Sequence, residues 1–130
     1  LDLFSGTGNI AYEFGSRGAA QIDCVDQHRG CIKFIEETAQ ILELPVNCYQ
    51  GAVIKFLQQH SGGYDFIFAD PPYALSSSEL LSLITLVFDK KLLSDQGQFI
   101  LEHQKAHDFS QHPNWVNSRK FGDSVFSFFE

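Results

Sequence analysis

The stretch Asp2-Leu3-Phe4-Ser5-Gly6-Thr7-Gly8-Asn9 decides the fold of this chain. It joins an apolar strand, whose end we place at Leu1–Phe4, to a helix that we expect at Asn9–Ser16. Gly6 and Gly8 allow the chain to turn tightly and let a ligand approach the backbone, and the first turn of the helix offers free N–H groups. Since a G-x-G spacing is a weak signal by itself, a plain strand–helix turn stays the alternative to a binding loop.

Beyond this loop, short apolar runs alternate with helical patterns. We predict further strands at Gln21–Val25, Val46–Tyr49, Tyr64–Ala69 and Gln98–Glu102, and helices at Arg29–Leu44, at Val53–His60 and behind the capping-box pattern Ser76-Ser77-Ser78-Glu79. Trp115–Phe121 and Ser124–Phe129 flank Gly122-Asp123, which is a two-residue hairpin signal. Five β–α units followed by an antiparallel hairpin predict an α/β fold with a mostly parallel sheet and helices on both faces.

Apolar periodicity also predicts which faces of these elements are buried. The expected buried sets are Ile32, Ile35, Ala39 and Leu42 in the second helix, which Pro45 should end, and Leu80, Ile84, Val87 and Phe88 in the fourth helix. The strand Tyr64–Ala69 is continuously apolar after Asp65, as buried parallel strands are. Phe66 and Phe68 are therefore expected in the core.

Length and composition fit one domain. The 130 residues are 44% hydrophobic, which is enough for a sizeable core. The chain contains no Met and begins inside a strand, so we expect an N-terminal segment to precede Leu1. The net charge of -7 argues against a general nucleic-acid coat, because phosphate binding needs clustered Lys and Arg, and adjacent basic pairs occur only at Lys90-Lys91 and Arg119-Lys120.

The cysteines and histidines show no disulfide or metal-binding pattern. Cys24, Cys31 and Cys48 are an odd number without C-x-x-C spacing, which favours a reducing compartment, and we predict the cytoplasm. None of the five histidines has metal-ligand spacing with a cysteine, so no metal is expected. No signal peptide and no apolar run of about 18 residues is present, so no membrane association is expected.

Asp26 strengthens the case for a binding loop. It follows the second strand, and ligands of such sheets bind beyond the carboxyl ends of the strands, where the ribose of an adenosine presents two hydroxyl groups to an acid. These features also fit a dinucleotide-binding dehydrogenase, because Gly6–Ala11 satisfies G-x-G-x-x-[GA]. Asp2, inside the first strand, argues against that alternative: dehydrogenase loops do not call for this acid, whereas S-adenosylmethionine (SAM) carries an α-ammonium group that needs a carboxylate partner.

A second motif, Asp70-Pro71-Pro72-Tyr73, follows the fourth predicted strand. Two prolines fix φ and remove two N–H donors, and the residue before a proline is held extended, so this turn is stiff. The Asp70 carboxylate and the Pro71 carbonyl then offer only hydrogen-bond acceptors, which suits an N–H₂ group, and Tyr73 adds a flat face for stacking. A rigid strand-exit turn without function is the alternative.

An acceptor-only site suits methylation of a conjugated amine. The lone pair of such a nitrogen is delocalised, and hydrogen bonds from its two N–H groups to acceptors push electron density back onto it. The nitrogen is then aimed at the sulfonium methyl group of SAM for in-line displacement, and positioning supplies much of the rate.

With these motifs the chain resembles the class I SAM-dependent methyltransferases, and more narrowly the RsmD-like family, bacterial enzymes that methylate N2 of a guanine in small-subunit ribosomal RNA. The resemblance covers the whole chain and includes, besides the two motifs above, Ser16-Arg17-Gly18-Ala19, Val25-Asp26 and Ile100-Leu101-Glu102-His103. It implies a Rossmann-like catalytic domain over residues 1–130, with a seven-stranded sheet that ends in an antiparallel hairpin, and SAM as the cofactor.

The resemblance also implies residue roles. Asp70, Pro71, Pro72 and Tyr73 would hold the target base as the catalytic set. The cofactor-binding set would be Asp2, Phe4, Gly6, Gly8, Asp26, Gln50 and Ala52, in which Asp2, Gly6 and Gly8 hold the amino-acid part of SAM and Asp26 holds the ribose. The partner would be ribosomal RNA or a small-subunit ribosomal particle.

The chain departs from the family pattern at two points. The family often has Asp or Asn followed by Ala after the third strand, where it meets the adenine amine. This chain has Gly51-Ala52 there, so Gln50 or the Ala52 backbone would replace that contact. The family's basic N-terminal segment, which contributes to RNA binding, is not in this chain.

Other functions stay open at this point. D/N-P-P-Y chemistry is shared by enzymes that methylate DNA adenine N6 or a protein glutamine amide. The glutamine enzymes usually begin the motif with Asn, and the DNA enzymes carry a target-recognition insertion for which no loop here is long enough. A third alternative is a catalytically inactive SAM-fold subunit that binds a partner, which the intact Asp70–Tyr73 motif disfavours.

Glu102-His103 lies at the carboxyl end of the fifth predicted strand. We expect a mainly structural role for this pair, with contact to the substrate as the alternative. The sequence contains no signal for the oligomeric state.

Overall fold

A computed structural model describes residues 1–130. The elements in chain order are β1 (Asp2–Leu3), α1 (Asn9–Ser16), β2 (Ile22–Asp26), α2 (Arg29–Leu42), β3 (Val46–Gln50), α3 (Val53–Gln59), β4 (Tyr64–Ala69), α4 (Ser77–Asp89), β5 (Leu93–Gln104), β6 (Trp115–Phe121) and β7 (Ser124–Phe129). The strands follow the order β3-β2-β1-β4-β5-β7-β6 in one sheet, and β7 runs antiparallel to β5 and β6. This confirms the predicted seven-stranded, mostly parallel sheet with a C-terminal antiparallel hairpin.

The first of two compact units, Leu1–Phe56, contains β1 to β3 with α1 and α2. β2 pairs in parallel with both β1 and β3, so the carboxyl ends of these three strands meet at one edge. Its core consists of Ala11, Ile22, Cys24 and Ile35, against which Tyr12, Phe14, Ala19, Val46 and Cys48 pack. Both residues of β1 are buried, so the glycine loop begins at a strand enclosed within this unit.

The second unit, Leu57–Glu130, contains β4 to β7 and α4. β4 pairs in parallel with β5, whose other edge pairs with β7. Alternation along β5 and β7 buries one face of these strands, formed by Phe99, Leu101, His103, Val125, Ser127 and Phe129. The rings of Phe99 and Phe129 lie 5.6 Å apart at the centre of that face.

The predicted capping box begins α4 and is confirmed. The Ser76 side chain accepts a hydrogen bond from the Glu79 backbone N–H at 3.2 Å, and the Glu79 carboxylate accepts one from the Ser76 backbone N–H at 3.4 Å. The helix buries Leu80, Leu83, Ile84 and Val87. Leu83 takes the place predicted for Phe88, which is half-buried, because the buried stripe is centred one residue earlier on the helix.

Three predictions about α2 and β4 are wrong in detail. α2 ends at Leu42 rather than Leu44, because Glu43 adopts a left-handed conformation with φ of 55° and closes the helix before Pro45 is reached. Leu42 is consequently turned outward and is 52% exposed. Phe66 is 48% exposed rather than part of the core, since the amino-terminal half of β4 is not covered over its ring.

The fifth predicted β–α unit has a longer strand and no helix. β5 begins at Leu93 instead of Gln98, and the absence of a side chain at Gly97 permits this, because a Cβ there would lie 2.7 Å from the Tyr64 carbonyl oxygen. Residues 105–114 form turns in which polar side chains bind backbone N–H groups, as in the bond from Ser110 N to Asp108 Oδ1 at 2.9 Å. Such local bonds compete with helix formation.

The helices are short. The longest, α2, has 14 residues, and no helix has the length and apolar character that spanning a bilayer requires.

Replacing Ser76 by Ala tests the capping box. The change removes the acceptor for the Glu79 N–H, and we expect the free energy of unfolding to fall by about 1 kcal/mol in urea denaturation. Ser82→Ala is the matched control, because the Ser82 hydroxyl bonds only the Ser78 carbonyl on the exposed side of the same helix. Ala is also the better helix former at that position. Equal losses for the two variants would contradict the capping role.

Candidate functional site

Ser5 ties the glycine loop to the neighbouring strand. Its backbone N–H donates to the Val25 carbonyl at 3.0 Å, and its hydroxyl oxygen accepts the Val25 N–H at 3.0 Å. The same hydroxyl donates to the Asp2 carbonyl at 2.7 Å. These bonds hold Phe4 in a left-handed conformation, with φ of 57°, that a non-glycine residue rarely adopts. The sequence reasoning did not single out Ser5, although a hydroxyl beside a loop glycine is a known signal for local backbone bonds.

Asp26 fixes the loop from β2. Its Oδ2 accepts the Gly6 N–H at 2.9 Å and its Oδ1 accepts the His28 N–H at 2.8 Å. The Asp26 carbonyl accepts the Gly51 N–H at 3.0 Å, and its strand neighbour in register is Gln50. Asp26 therefore gathers the residues that follow β1, β2 and β3 at one edge, and each carboxylate oxygen keeps a lone pair for a ligand hydroxyl.

The two loop glycines are required for different reasons. A Cβ at Gly8 would lie 2.8 Å from Tyr12 Cζ and 2.9 Å from Ile35 Cγ1, so Gly8 allows close packing of α1 and α2 side chains against the loop. At Gly6 a Cβ would have no heavy atom within 4 Å, while φ is 54°. Gly6 thus borders open space, and its left-handed backbone rather than close packing favours glycine there.

The remaining positions of the predicted cofactor set lie in the same unit. Gln50 ends β3 and is exposed, and Ala52 is half-buried and accepts the Phe56 N–H at 3.1 Å to begin α3. Asp2 is buried in β1, where its partner in register is Cys24. All seven predicted positions therefore lie on strands of the first unit or in the segments that follow β1 and β3, and their contact with SAM stays a prediction.

Cys24 and Cys48 lie in the core beneath this edge. Burial raises the pKa of the Cys24 thiol to about 12, and the charge of Asp2 contributes to this shift. Burial likewise raises the pKa of Cys48 to about 11. Both thiols are protonated at neutral pH and are poor nucleophiles, as expected for small buried hydrophobic residues. No group of three His, Cys, Asp or Glu side chains is arranged to hold a metal ion.

In the second unit, the predicted catalytic motif follows β4 directly. Ala69 ends the strand and Pro71 is buried, whereas Asp70, Pro72 and Tyr73 are exposed. Tyr73 is 71% exposed. Ala69 and Pro71 anchor this stiff turn in the interior, so the Asp70 carboxylate and the Tyr73 ring face outward. This arrangement suits contact with a planar ligand that carries an amino group.

Glu102 accompanies Asp70 at the neighbouring strand end. Ala69, the last residue of β4, pairs in register with Leu101 of β5, so Asp70 and Glu102 are the residues that follow this last pair. Withdrawal from water raises the pKa of the Asp70 carboxyl group, and the negative charge of Glu102 raises it further. Glu102 Oε2 accepts a hydrogen bond from the Ser124 hydroxyl at 3.3 Å, which orients its carboxylate.

His103, the neighbour of Glu102, faces the interior instead. Its Nδ1 lies 2.8 Å from the Gln104 carbonyl, which can only accept, so Nε2 accepts the Ser127 hydroxyl hydrogen at 2.7 Å. Its ring packs edge-on against Phe109 at 4.9 Å, and burial lowers the pKa of the imidazole. His103 is a neutral core residue, as the expected structural role requires.

Comparison with known proteins assigns this arrangement to a family. The family described as Conserved hypothetical protein 95 matches residues 1–130. The chain belongs to this RsmD-like family of SAM-dependent methyltransferases. YlbH of Bacillus subtilis, named as a candidate rRNA methyltransferase, is 30% identical over 110 residues, which are 81% of this chain and 59% of that protein.

Two further relatives of this RsmD-like chain support the same family and fold. Ribosomal RNA small subunit methyltransferase D of Buchnera aphidicola is 27% identical over 119 residues, 89% of this chain and 60% of that protein. The chain thus spans about 60% of the length of these curated relatives. The solved structure of YhhF from Escherichia coli, a candidate methyltransferase, has a TM-score of 0.87 at 21% identity and covers 98% of this chain and 72% of that one, which confirms the class I methyltransferase fold.

Replacing Gly6 or Gly8 by Ala distinguishes a glycine beside the proposed ligand site from a glycine needed for side-chain packing. Gly8→Ala forces a Cβ against Tyr12 and Ile35, so we expect the free energy of unfolding to fall by roughly 2–3 kcal/mol. Gly6→Ala costs about 1 kcal/mol for its left-handed backbone but places a methyl group in the open space beside the loop. Calorimetric titration with S-adenosylhomocysteine should therefore show weaker binding for Gly6→Ala. Unchanged affinity in that variant would exclude this space as the ligand site.

Proposed function

We propose that residues 1–130 form the catalytic domain of a SAM-dependent methyltransferase that modifies the exocyclic N2 amine of a guanine in small-subunit ribosomal RNA. The observation that carries this proposal is the Asp70–Tyr73 turn, which exposes a carboxylate and an aromatic ring on a proline-stiffened strand exit. The partner is ribosomal RNA or a small-subunit particle, and the setting is the cytoplasm.

The family supports this reading at the level of reaction and substrate class. A relative that is 27% identical is named a ribosomal RNA small subunit methyltransferase, and another at 30% identity is named for rRNA methylation. The chemistry of the turn supports an amino group as the target, and the motif resemblance supports guanine N2 as that amino group. An acceptor-only site binds an amino group and gives no donor for a ring nitrogen or carbonyl.

The first unit supplies the cofactor side of the proposed reaction. The open space at Gly6, the loop N–H groups and the Asp26 carboxylate fit the amino-acid and ribose parts of SAM. Asp2, Phe4, Gly8, Gln50 and Ala52 complete the proposed binding set. When bound, SAM supplies an electrophilic methyl group on its sulfonium. The chain's own contribution is to hold that ligand through a loop that Ser5 and Asp26 have already fixed, which reduces the entropy lost on binding.

The second unit supplies the base side. Asp70 and the Pro71 carbonyl accept the two N–H groups of the amine, which raises electron density on its nitrogen, and Tyr73 stacks on the base. When the nitrogen accepts the methyl group, whose bond to the sulfonium sulfur breaks, the carboxylate of Asp70 would take the proton that the nitrogen loses. The raised pKa of Asp70 makes it a better proton acceptor. Because the carboxylate must be ionised, activity should fall on acidification at a higher pH than for an ordinary Asp.

Asp70→Ala should abolish methyl transfer and leave the affinity for S-adenosylhomocysteine unchanged, because the carboxylate contacts the amine and not the cofactor. Asp70→Asn, which keeps one acceptor oxygen but cannot take the proton, should also lose most of the rate. The assay is transfer of labelled methyl groups to small-subunit rRNA lacking the modification, with the product identified as N2-methylguanine by nucleoside mass spectrometry. Asp95→Asn, at an exposed position of the same unit, is the control. N6-methyladenine as sole product, or label only in protein, would move the assignment to the alternatives.

Tyr73→Ala should slow transfer by about 10- to 100-fold, since base–aromatic stacking is worth about 1–3 kcal/mol. Tyr73→Phe should lower kcat/KM only slightly, because stacking needs the ring and not the hydroxyl group. Phe34→Ala, which removes another exposed ring from α2, serves as the control for loss of surface aromatic area. A Tyr73→Phe variant as slow as Tyr73→Ala would show that the hydroxyl group, and not stacking, is what the reaction uses.

A further inference from the structure

Asp70 and Glu102 form a pair of carboxylates at adjacent strand ends. The parallel register of β4 and β5 runs from Phe66 with Gln98 to Ala69 with Leu101 without a further shift. The next residues are Asp70, just past the end of β4, and Glu102 within β5. Because Asp70 precedes a proline and is held extended, the alternation of side chains along a strand points its carboxylate and that of Glu102 to the same side of the sheet.

The neighbours of this pair show which surface that is. Phe68 and Ile100, two residues before Asp70 and Glu102, line the same groove, to which β7 contributes Phe126. Phe126 is also the partner of Glu102 in register across β5 and β7. Glu102 is half-buried beside this apolar surface, and Ser124 donates to its carboxylate at 3.3 Å. The side chain therefore has a defined position and does not sample solvent freely.

Two carboxylates placed close together repel each other unless a cation or a hydrogen-bond donor interacts with them. The ion pairs in the structure join Arg17 with Glu13, Lys33 with Glu37 and Lys105 with Asp123, and none includes Asp70 or Glu102. The mutual repulsion is visible in the upward shift of the pKa of Asp70 to which Glu102 contributes. A ligand that offers two adjacent hydrogen-bond donors would relieve this repulsion. Asp70 would accept from one of these donors, which leaves the other for Glu102.

We propose that Glu102 is a specificity-determining residue that accepts the N1–H of the target guanine while Asp70 accepts from its N2 amine. This inference rests on the proposed function and deepens it by assigning the choice of base. Guanine carries N1–H and N2–H₂ side by side on its Watson–Crick edge. Adenine carries a lone pair at N1, which would face the Glu102 carboxylate, and an unpaired acceptor against a fixed charge is strongly disfavoured.

The base analogue 2-aminopurine isolates this contact, because it retains the C2 amine that would be methylated but has a lone pair instead of N1–H. The substrates are short synthetic single-stranded RNAs that carry one guanine, one 2-aminopurine or one 1-methylguanine among pyrimidines. We expect wild-type kcat/KM for guanine to exceed that for 2-aminopurine and 1-methylguanine by about 10- to 100-fold, the size of a hydrogen bond to a charged acceptor.

Glu102→Gln reverses the contact without changing the shape of the side chain. Its amide can donate to the N1 lone pair of 2-aminopurine and still accept the N1–H of guanine. We expect the preference for guanine to fall to within about threefold of equality, through a gain on 2-aminopurine as well as a loss on guanine. Asp123→Asn is the charge-matched control, because it removes an exposed carboxylate of the same unit, and its preference should equal that of the wild type.

The outcomes separate this inference from the function it rests on. Transfer to guanine with the same preference in Glu102→Gln as in the wild type would overturn the role of Glu102 and leave the proposed function intact. Equal wild-type rates on the three RNAs would do the same, and this measurement needs no variant to fold. No transfer by the wild type either to these RNAs or to small-subunit rRNA lacking the modification would overturn both the proposed function and the role of Glu102.

Discussion

The hydrogen bond from the Gly6 amide to the Asp26 carboxylate is the constraint on which the first unit depends. It joins residues that are 20 positions apart and fixes the loop after β1 against the end of β2. Ser5 adds three short bonds to the same strand pair, and through them Phe4 is kept in a conformation that it would not adopt alone. A loop held in this way is rigid before any ligand arrives, which favours binding because little further ordering is needed.

This constraint changes how Asp26 is understood. The sequence predicts that the Asp26 carboxylate binds ribose hydroxyl groups. The structure shows that this carboxylate already accepts hydrogen bonds from the backbone N–H groups of Gly6 and His28. The two roles are compatible, because each carboxylate oxygen accepts more than one hydrogen bond. It follows that a variant of Asp26 would alter the loop as well as any ligand contact. The glycines are the cleaner probes, since Gly6 borders open space and Gly8 borders packed side chains.

The second unit uses parallel strands for a different purpose. Register places Asp70 and Glu102 next to each other, and alternation along β5 sends Glu102 to one face and His103 to the other. His103 is thereby enclosed by Ser127, Gln104 and Phe109. Glu102 and His103 are adjacent polar residues but have unrelated roles, because successive side chains of a strand point to opposite faces of the sheet.

Local patterns in the sequence determined the elements that depend on local bonds. The capping box at Ser76 and the Gly122-Asp123 hairpin each contain their partners within a few residues, and both were placed correctly. The order of strands followed from their alternation with helices. Tertiary structure alone decided the exposure of Phe66, the role of Ser5 and the proximity of Asp70 to Glu102. Each of these depends on which distant segment lies alongside, and the residue pattern within one segment does not specify that neighbour.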